Sequence, residues 1–352
     1  MIQLIDIKKW WIEVDKVNFI LISTLAIIGT ILSLSLEDNY LFFNKHLIFS
    51  FSGILLMFFI SSFDAKLIRR ISLVSIIFVI IILILILFID YEIKGSKRWL
   101  KIFSLSFQPS EFIKPFFLVL SAWFISQSIN GRKFYLGILI ILFLSICGLI
   151  ILQPDFGMTA LLATSFFCQL FIAGLSMFLV FVSVMILICL GISSYYFFDH
   201  VQRRVLNFFN PTAESYQIDL SLQAFKSGGL FGKGPGQGIL KEKIPDANTD
   251  FIFAVAGEEL GFLFCSMIVL LILIIVVRLL LKLLKIQDPY KMIAILGLTS
   301  SFGIQSLINI CSSLALIPTK GMTLPFISYG GSSMMSSAIL FGFLLSLTKN
   351  TK

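Results

Sequence analysis

Charge is scarce in this chain: 13% of its 352 residues are Asp, Glu, Lys or Arg, against 58% that are hydrophobic. A soluble domain carries roughly a quarter of its residues as charges, so a water-facing globule is excluded. Histidine is nearly missing, with two residues, and the five cysteines (Cys147, Cys168, Cys189, Cys265, Cys311) stand singly inside apolar segments. No Cys-x-x-Cys spacing exists, which argues against a structural zinc site or a disulfide framework and leaves the thiols as buried helix filler. The apolar runs show no alternation with polar residues. In lipid only helices and closed barrels satisfy the backbone, and continuously apolar runs mean helices. Met1–Lys9 is polar and lacks an apolar core, so no cleavable signal is expected there.

What the chain does have is a series of apolar runs long enough to cross a bilayer. The expected fold is an all-α polytopic membrane protein, one domain over residues 1–352, with about ten spans. They fall near 17–36, 47–63, 71–90, 112–129, 134–153, 156–175, 177–197, 256–283, 290–316 and 326–347. With residues 1–16 and the C-terminus in the cytoplasm, the inner segments carry Lys8, Lys9 and Lys16, then Lys66, Arg69 and Arg70, then Arg132 and Lys133, then Arg278, Lys282, Lys285 and Lys291. That is the positive-inside pattern. Two outer segments break it: one holds Lys94, Lys97, Arg98 and Lys101, the other Arg203, Arg204, Lys226, Lys233, Lys241 and Lys243. An anionic ligand on the outer face accounts for them, as does pairing with Glu214, Asp219, Glu242 and Asp246.

The longest polar segment, residues 198–252, is an extracytoplasmic loop between the seventh and eighth expected spans. Loops of that length without regular structure are functional or disordered, and Tyr216, Leu220, Phe225, Leu230 and Phe231 speak for order. Its glycines from Gly228 to Gly238 fit neither the phosphate-loop spacing nor Gly-x-Gly-x-x-Gly, so nucleotide binding is rejected. Tight turns and a close approach to a ligand or headgroup are the expected use of these glycines. The loop ends at Asp250, a carboxylate at the edge of a new apolar run.

Other polar groups enter the spans. In Gln108-Pro109-Ser110-Glu111, Ser110 is the expected N-cap, and Lys114 lies on the face of Glu111. A charge at bilayer depth costs roughly 2.5–3.5 kcal/mol, so Glu111 and Lys114 are expected to pair inside the bundle. Asp155 opens another helix as a cap, within Gln153-Pro154-Asp155-Phe156-Gly157. Of the adjacent Glu258 and Glu259, pointing about 100° apart, one is expected to meet a basic partner and the other to cap or line a cavity. Trp99 suits an interfacial belt. Pro318–Ser333, rich in Gly, Ser and Pro, permits close helix contact or exposed backbone beside a cavity.

Taken in order, Gly95–Trp99, Gln108–Glu111 with Lys114, Gln153–Gly157, Gly228–Gly234, Thr249–Glu259 and Pro318–Ser333 resemble the SEDS family (FtsW/RodA/SpoVE) of bacterial cell-wall glycosyltransferases. Thr323–Tyr329, Trp10-Trp11 with Asp15, and the Lys226–Asp246 segment resemble its cell-division members of alphaproteobacterial type more than its elongation members. One departure is Asn248, where the family usually has histidine. The resemblance implies polymerisation of lipid II, with release of undecaprenyl diphosphate, during septal wall synthesis. It implies Asp250 as the catalytic base. Lys97, Arg98, Trp99, Arg203, Arg204, Lys233, Lys320 and Ser328 are the expected substrate contacts, and Glu111, Lys114, Asp155, Glu258 and Glu259 the structural or cavity charges. A divalent cation, Mg or Mn, is a possible cofactor, with no metal-ligand pattern in the sequence. A class B penicillin-binding protein and other divisome proteins are the implied partners, with no nucleic acid, at the septal cytoplasmic (inner) membrane. A lipid II flippase and a non-catalytic divisome scaffold are the competing readings.

Overall fold

The structure, a computed structural model, describes residues 7–36, 41–88, 98–102, 105–174, 216–318 and 321–349, with a few isolated positions between 185 and 206. It is helical nearly throughout. In chain order the described helices are α1 (Ile7–Glu13), α2 (Lys16–Ser33), α3 (Leu41–Ser61), α4 (Ala65–Leu87), α5 (Pro109–Ile129), α6 (Phe134–Leu152), α7 (Phe156–Ile172), α8 (Tyr216–Gly228), α9 (Ile252–Leu283), α10 (Pro289–Ser313) and α11 (Gly331–Leu347). A small antiparallel hairpin, β1 (Leu100–Ile102) with β2 (Leu105–Phe107), pairs Leu100 with Phe107.

Helices stand at nine of the expected spans, and seven of them are long and apolar enough to cross a membrane. The expected span at 177–197 lies largely outside the described residues. Burial sorts the helices into two layers. Along α11 no residue from Ser332 to Leu347 is exposed, and α5 and α10 are buried over most of their length. Around this centre, α4, α6 and the second part of α9 turn Val74, Phe78, Ile141, Leu144, Leu270 and Leu281 outward, as lipid-facing helices do. One end of the bundle is closed by charge: Asp15 caps α2 through Asn18 N–H and meets Lys282 at 2.8 Å and Arg278 at 3.4 Å from the end of α9. Burial pushes the Asp15 carboxyl up, but the Lys282 hydrogen bond and charge, with Asn18 and Arg278, outweigh it and hold it below its ordinary value.

The sequence reading of α9 as one continuous span needs correction. Gly261 takes φ 79° and ψ −178°, which no helix allows, and breaks the element. Cys265 Sγ lies 3.8 Å from Phe253 O, whereas twelve residues of straight helix would separate them by about 18 Å. The chain therefore folds back at Gly261. The first part, Ile252–Glu259, is wholly buried in protein, and the outward-facing span begins at Phe262.

Such a break strands carbonyls at one helix end and N–H groups at the next. The glycine loop supplies the partners: Lys233 N–H and Gly234 N–H donate to Glu258 O and Glu259 O at 3.0 and 2.9 Å, while Phe262 N–H and Leu263 N–H donate to Gly229 O and Leu230 O. A Cβ on Gly228 would lie 2.0 Å from Gly257 O, and one on Gly232, at φ +82°, 2.1 Å from Glu259 O. Gly228 and Gly232 thus permit a close approach to the protein's own broken helix, a use the sequence reading did not name.

The two glutamates finish the join. Glu258 accepts from Lys233 Nζ at 2.8 Å and from the N–H groups of Ile239, Leu240 and Lys241, capping a short 3-10 turn at Leu240–Glu242. Glu259 accepts from Lys241 Nζ at 2.8 Å, and that ammonium also donates to Ser35 O. Both glutamates therefore have lysine partners, where the sequence reading gave a basic partner to one.

Two outcomes follow for detergent-purified protein. Gly232→Ala is expected to lower stability by at least about 1–3 kcal/mol, the range for overpacking, read as a lower melting temperature. Lys241→Met strands Glu259, which is 1% exposed, and is expected to cost about 3–5 kcal/mol. Adding Glu259→Gln should restore part of that loss, and no recovery in the double variant would contradict the ion pair.

Candidate active site

Asp250 closes a turn that begins at Asp246, whose φ is +58°, and its N–H donates to Asp246 O at 3.1 Å. Three successive carbonyls of this turn are held from outside. Asn248 O accepts from Tyr329 N–H at 2.8 Å, Thr249 O from the Ser328 hydroxyl at 2.5 Å, and Asp250 O from Asn309 Nδ2 at 2.9 Å. The first two donors come from the segment leading into α11, and the third from α10. Gly321, at φ +59°, brings backbone against the carboxylate: a Cβ there would lie 3.3 Å from Asp250 Oδ2. Asp250 itself is partly exposed. A partly open carboxylate on a turn pinned at three points is a fixed acceptor.

Behind the turn lies a buried polar network. Lys114, 2% exposed, donates to Glu111 Oε2 and to Gln305 Oε1, each at 2.6 Å. Gln305 Nε2 donates to Thr323 O at 3.0 Å, and the hydroxyls of Thr323 and Ser333 meet at 2.6 Å. Pro115 has no N–H for the carbonyl of Glu111 four residues back. Ser336 of α11 donates to that carbonyl instead, at 2.6 Å. The pairing of Glu111 with Lys114 expected from the sequence is present.

A second cluster sits where the hairpin meets α5 and α7. Asp155 caps α7 through Met158 N–H and lies 3.4 Å from both Arg98 Nη1 and Gln108 Nε2. Gln108 N–H donates to the Ser332 hydroxyl at 2.9 Å, joining this cluster to α11. Ser110 is not the cap it was expected to be: the N-cap of α5 is Gln108, with Pro109 at the first helical position. Trp99 is half-buried beside Arg98 in sequence.

Among the expected substrate contacts, Lys97, Arg203, Arg204 and Lys320 lie outside the described residues. Lys233 is committed to Glu258, and Ser328 uses its hydroxyl on the protein itself, accepting from Leu324 N–H at 2.8 Å and donating to Thr249 O. Both act as parts of the frame. Gln305, Asn309 and Gly321 were not singled out from the sequence. The signal for the first two was present: carboxamides four residues apart on one helix face within an apolar run. Among the described residues no group of three or more His, Cys, Asp or Glu side chains is arranged to hold a metal ion.

The architecture is shared. A probable peptidoglycan glycosyltransferase FtsW of Caulobacter vibrioides is 36% identical over 97% of this chain and 90% of its own length. One of the same name from Trichlorobacter lovleyi is 31% identical over 97% and 94%. Among solved structures, a chain from a peptidoglycan synthase complex superposes with a TM-score of 0.82 at 23% identity, covering 96% of this chain and 98% of that one. The rod shape determining protein RodA of Thermus thermophilus gives 0.72 at 22% identity, with coverage of 96% and 97%. The family model for cell cycle proteins of the FtsW, RodA and SpoVE type matches residues 11–352. This multi-pass membrane chain belongs to that family.

Proposed function

We propose that the chain is a peptidoglycan glycosyltransferase of septal wall synthesis, polymerising lipid II with Asp250 as the base. The supporting observation is the pinned turn at 248–250, which leaves a partly exposed carboxylate held against the backbone of Gly321. In the reaction the 4-hydroxyl oxygen of the acceptor sugar bonds to the anomeric carbon of the donor. Its proton passes to the Asp250 carboxylate, and the anomeric C–O bond breaks with its electron pair leaving on undecaprenyl diphosphate. A diphosphate departs without protonation, so one carboxylate suffices, unlike the paired carboxylates of glycoside hydrolysis.

Cations offset the departing charge. We assign this duty to Lys97, Arg203, Arg204 and Lys320, since Lys233 is spent on Glu258 and Arg98 is paired with Asp155. Lys320 immediately precedes Gly321 in the chain. A Mg or Mn ion would add positive charge for the departing diphosphate, and no group of three or more His, Cys, Asp or Glu side chains among the described residues is arranged to hold one. The relatives' names and the likeness to a chain of a peptidoglycan synthase complex support a class B penicillin-binding protein as partner, with the chain in the cytoplasmic membrane at the septum.

Asp250→Asn, purified with the cognate transpeptidase in detergent, is expected to lower polymerisation of labelled lipid II by roughly a hundredfold to ten-thousandfold, with the melting temperature retained. A native rate would remove Asp250 from the chemistry. Detergent leaves no bilayer to cross, so turnover by the native protein also separates this reading from a flippase. Gly321→Ala, strained by its positive φ and crowding Asp250 Oδ2, is expected to slow the same assay at least about tenfold.

A further inference from the structure

Gln305 and Asn309 lie one helical turn apart on α10, 3% and 1% exposed. Their side-chain amides grip consecutive carbonyls of the segment before α11: Gln305 Nε2 donates to Thr323 O at 3.0 Å and Asn309 Nδ2 to Met322 O at 2.6 Å. Asn309 also spends its second N–H on Asp250 O, at 2.9 Å. This one amide therefore spans the gap between the Asp250 turn and the segment that starts at Gly321. Its orientation is set by the network, because the flipped amide would lay an oxygen against two carbonyl oxygens. Gln305 is fixed from the other side, where its oxygen accepts from Lys114 at 2.6 Å and Lys114 is held by Glu111.

We propose that Asn309 and Gln305 are positioning residues for the transfer: they set the distance between the Asp250 carboxylate and the Gly321–Thr323 backbone, with the Glu111–Lys114 pair as the fixed support of Gln305. This inference rests on the reading of Asp250 as the base. The residue type is demanding. Carboxylate in place of the Asn309 amide puts acceptor against two acceptors, while Glu in place of Gln305 keeps an oxygen for Lys114 and sets its other oxygen against Thr323 O. Neither side chain needs to touch substrate, so each acts on turnover rather than on binding.

The test is steady-state polymerisation of lipid II by the full chain purified with its transpeptidase. Asn309→Asp and Gln305→Glu are expected to lower kcat by roughly tenfold to a hundredfold, the cost of a misplacement of order 1 Å, with KM within about twofold of native. Because Asn309 acts through Asp250, adding Asn309→Asp to Asp250→Glu, whose carboxylate is already displaced, should cost less than it does alone. Native kcat in a folded Asn309→Asp protein overturns the proposal, as does a loss confined to KM or a full multiplicative loss in the double variant. Should Asn309→Asp fail to fold, Gln305→Glu decides by its own kcat and KM. The two readings fail separately: an active Asp250→Asn protein removes the base, whereas an inactive one beside a native-like Asn309→Asp protein removes only the positioning role.

Discussion

A backbone buried in an apolar surrounding must find partners for every N–H and carbonyl group, and the break at Gly261 makes that demand acute. A straight helix would satisfy itself and place no turn near the site. The broken one needs a second piece of chain lying against it, and the Gly228–Gly234 segment is that piece. Gly228 and Gly232 are set by contact at distances no side chain tolerates, Lys233 by Glu258, and Lys241 further along the loop by Glu259. Much of the geometry around Asp250 depends on this join, because the turn at 246–250 runs from the splinted loop into the first part of α9.

The same economy recurs at the site. Backbone groups that one element leaves open are taken up by the side chains of another: Ser328 and Asn309 hold the Asp250 turn, and Ser336 serves the carbonyl that Pro115 cannot. Each such contact crosses between elements, so the polar groups of α5, α10 and α11 fix those helices relative to one another. Apolar packing in lipid is only weakly specific, and directional bonds supply what it lacks.

The spans were legible because length and apolarity decide them, and Glu111 with Lys114 because charges at bilayer depth must pair. Glu258 and Glu259 were harder to read. Adjacent side chains diverge on a helix, and nothing in the local sequence shows that a loop passes along both sides of them. The loop cations illustrate the same limit. Lys233 and Lys241 suited an anion or the nearby Glu242 and Asp246, yet both turned to the glutamates beyond the turn. Asn309 and Gln305 belong to a further class, since their value lies in carbonyls that are remote in sequence and close only after folding.

The placement of α11 carries a consequence for how the protein is made. This last helix is enclosed by α3, α4, α5 and α10, and between Ser332 and Leu347 it offers no exposed residue to surrounding lipid. A ribosome delivers it after all of its neighbours, so the earlier helices must wait in the bilayer around an unfilled centre. Glu111 O and Phe63 O, on chain made earlier, meet their serine partners Ser336 and Ser346 only when α11 is in place, so closing of the bundle waits for that helix.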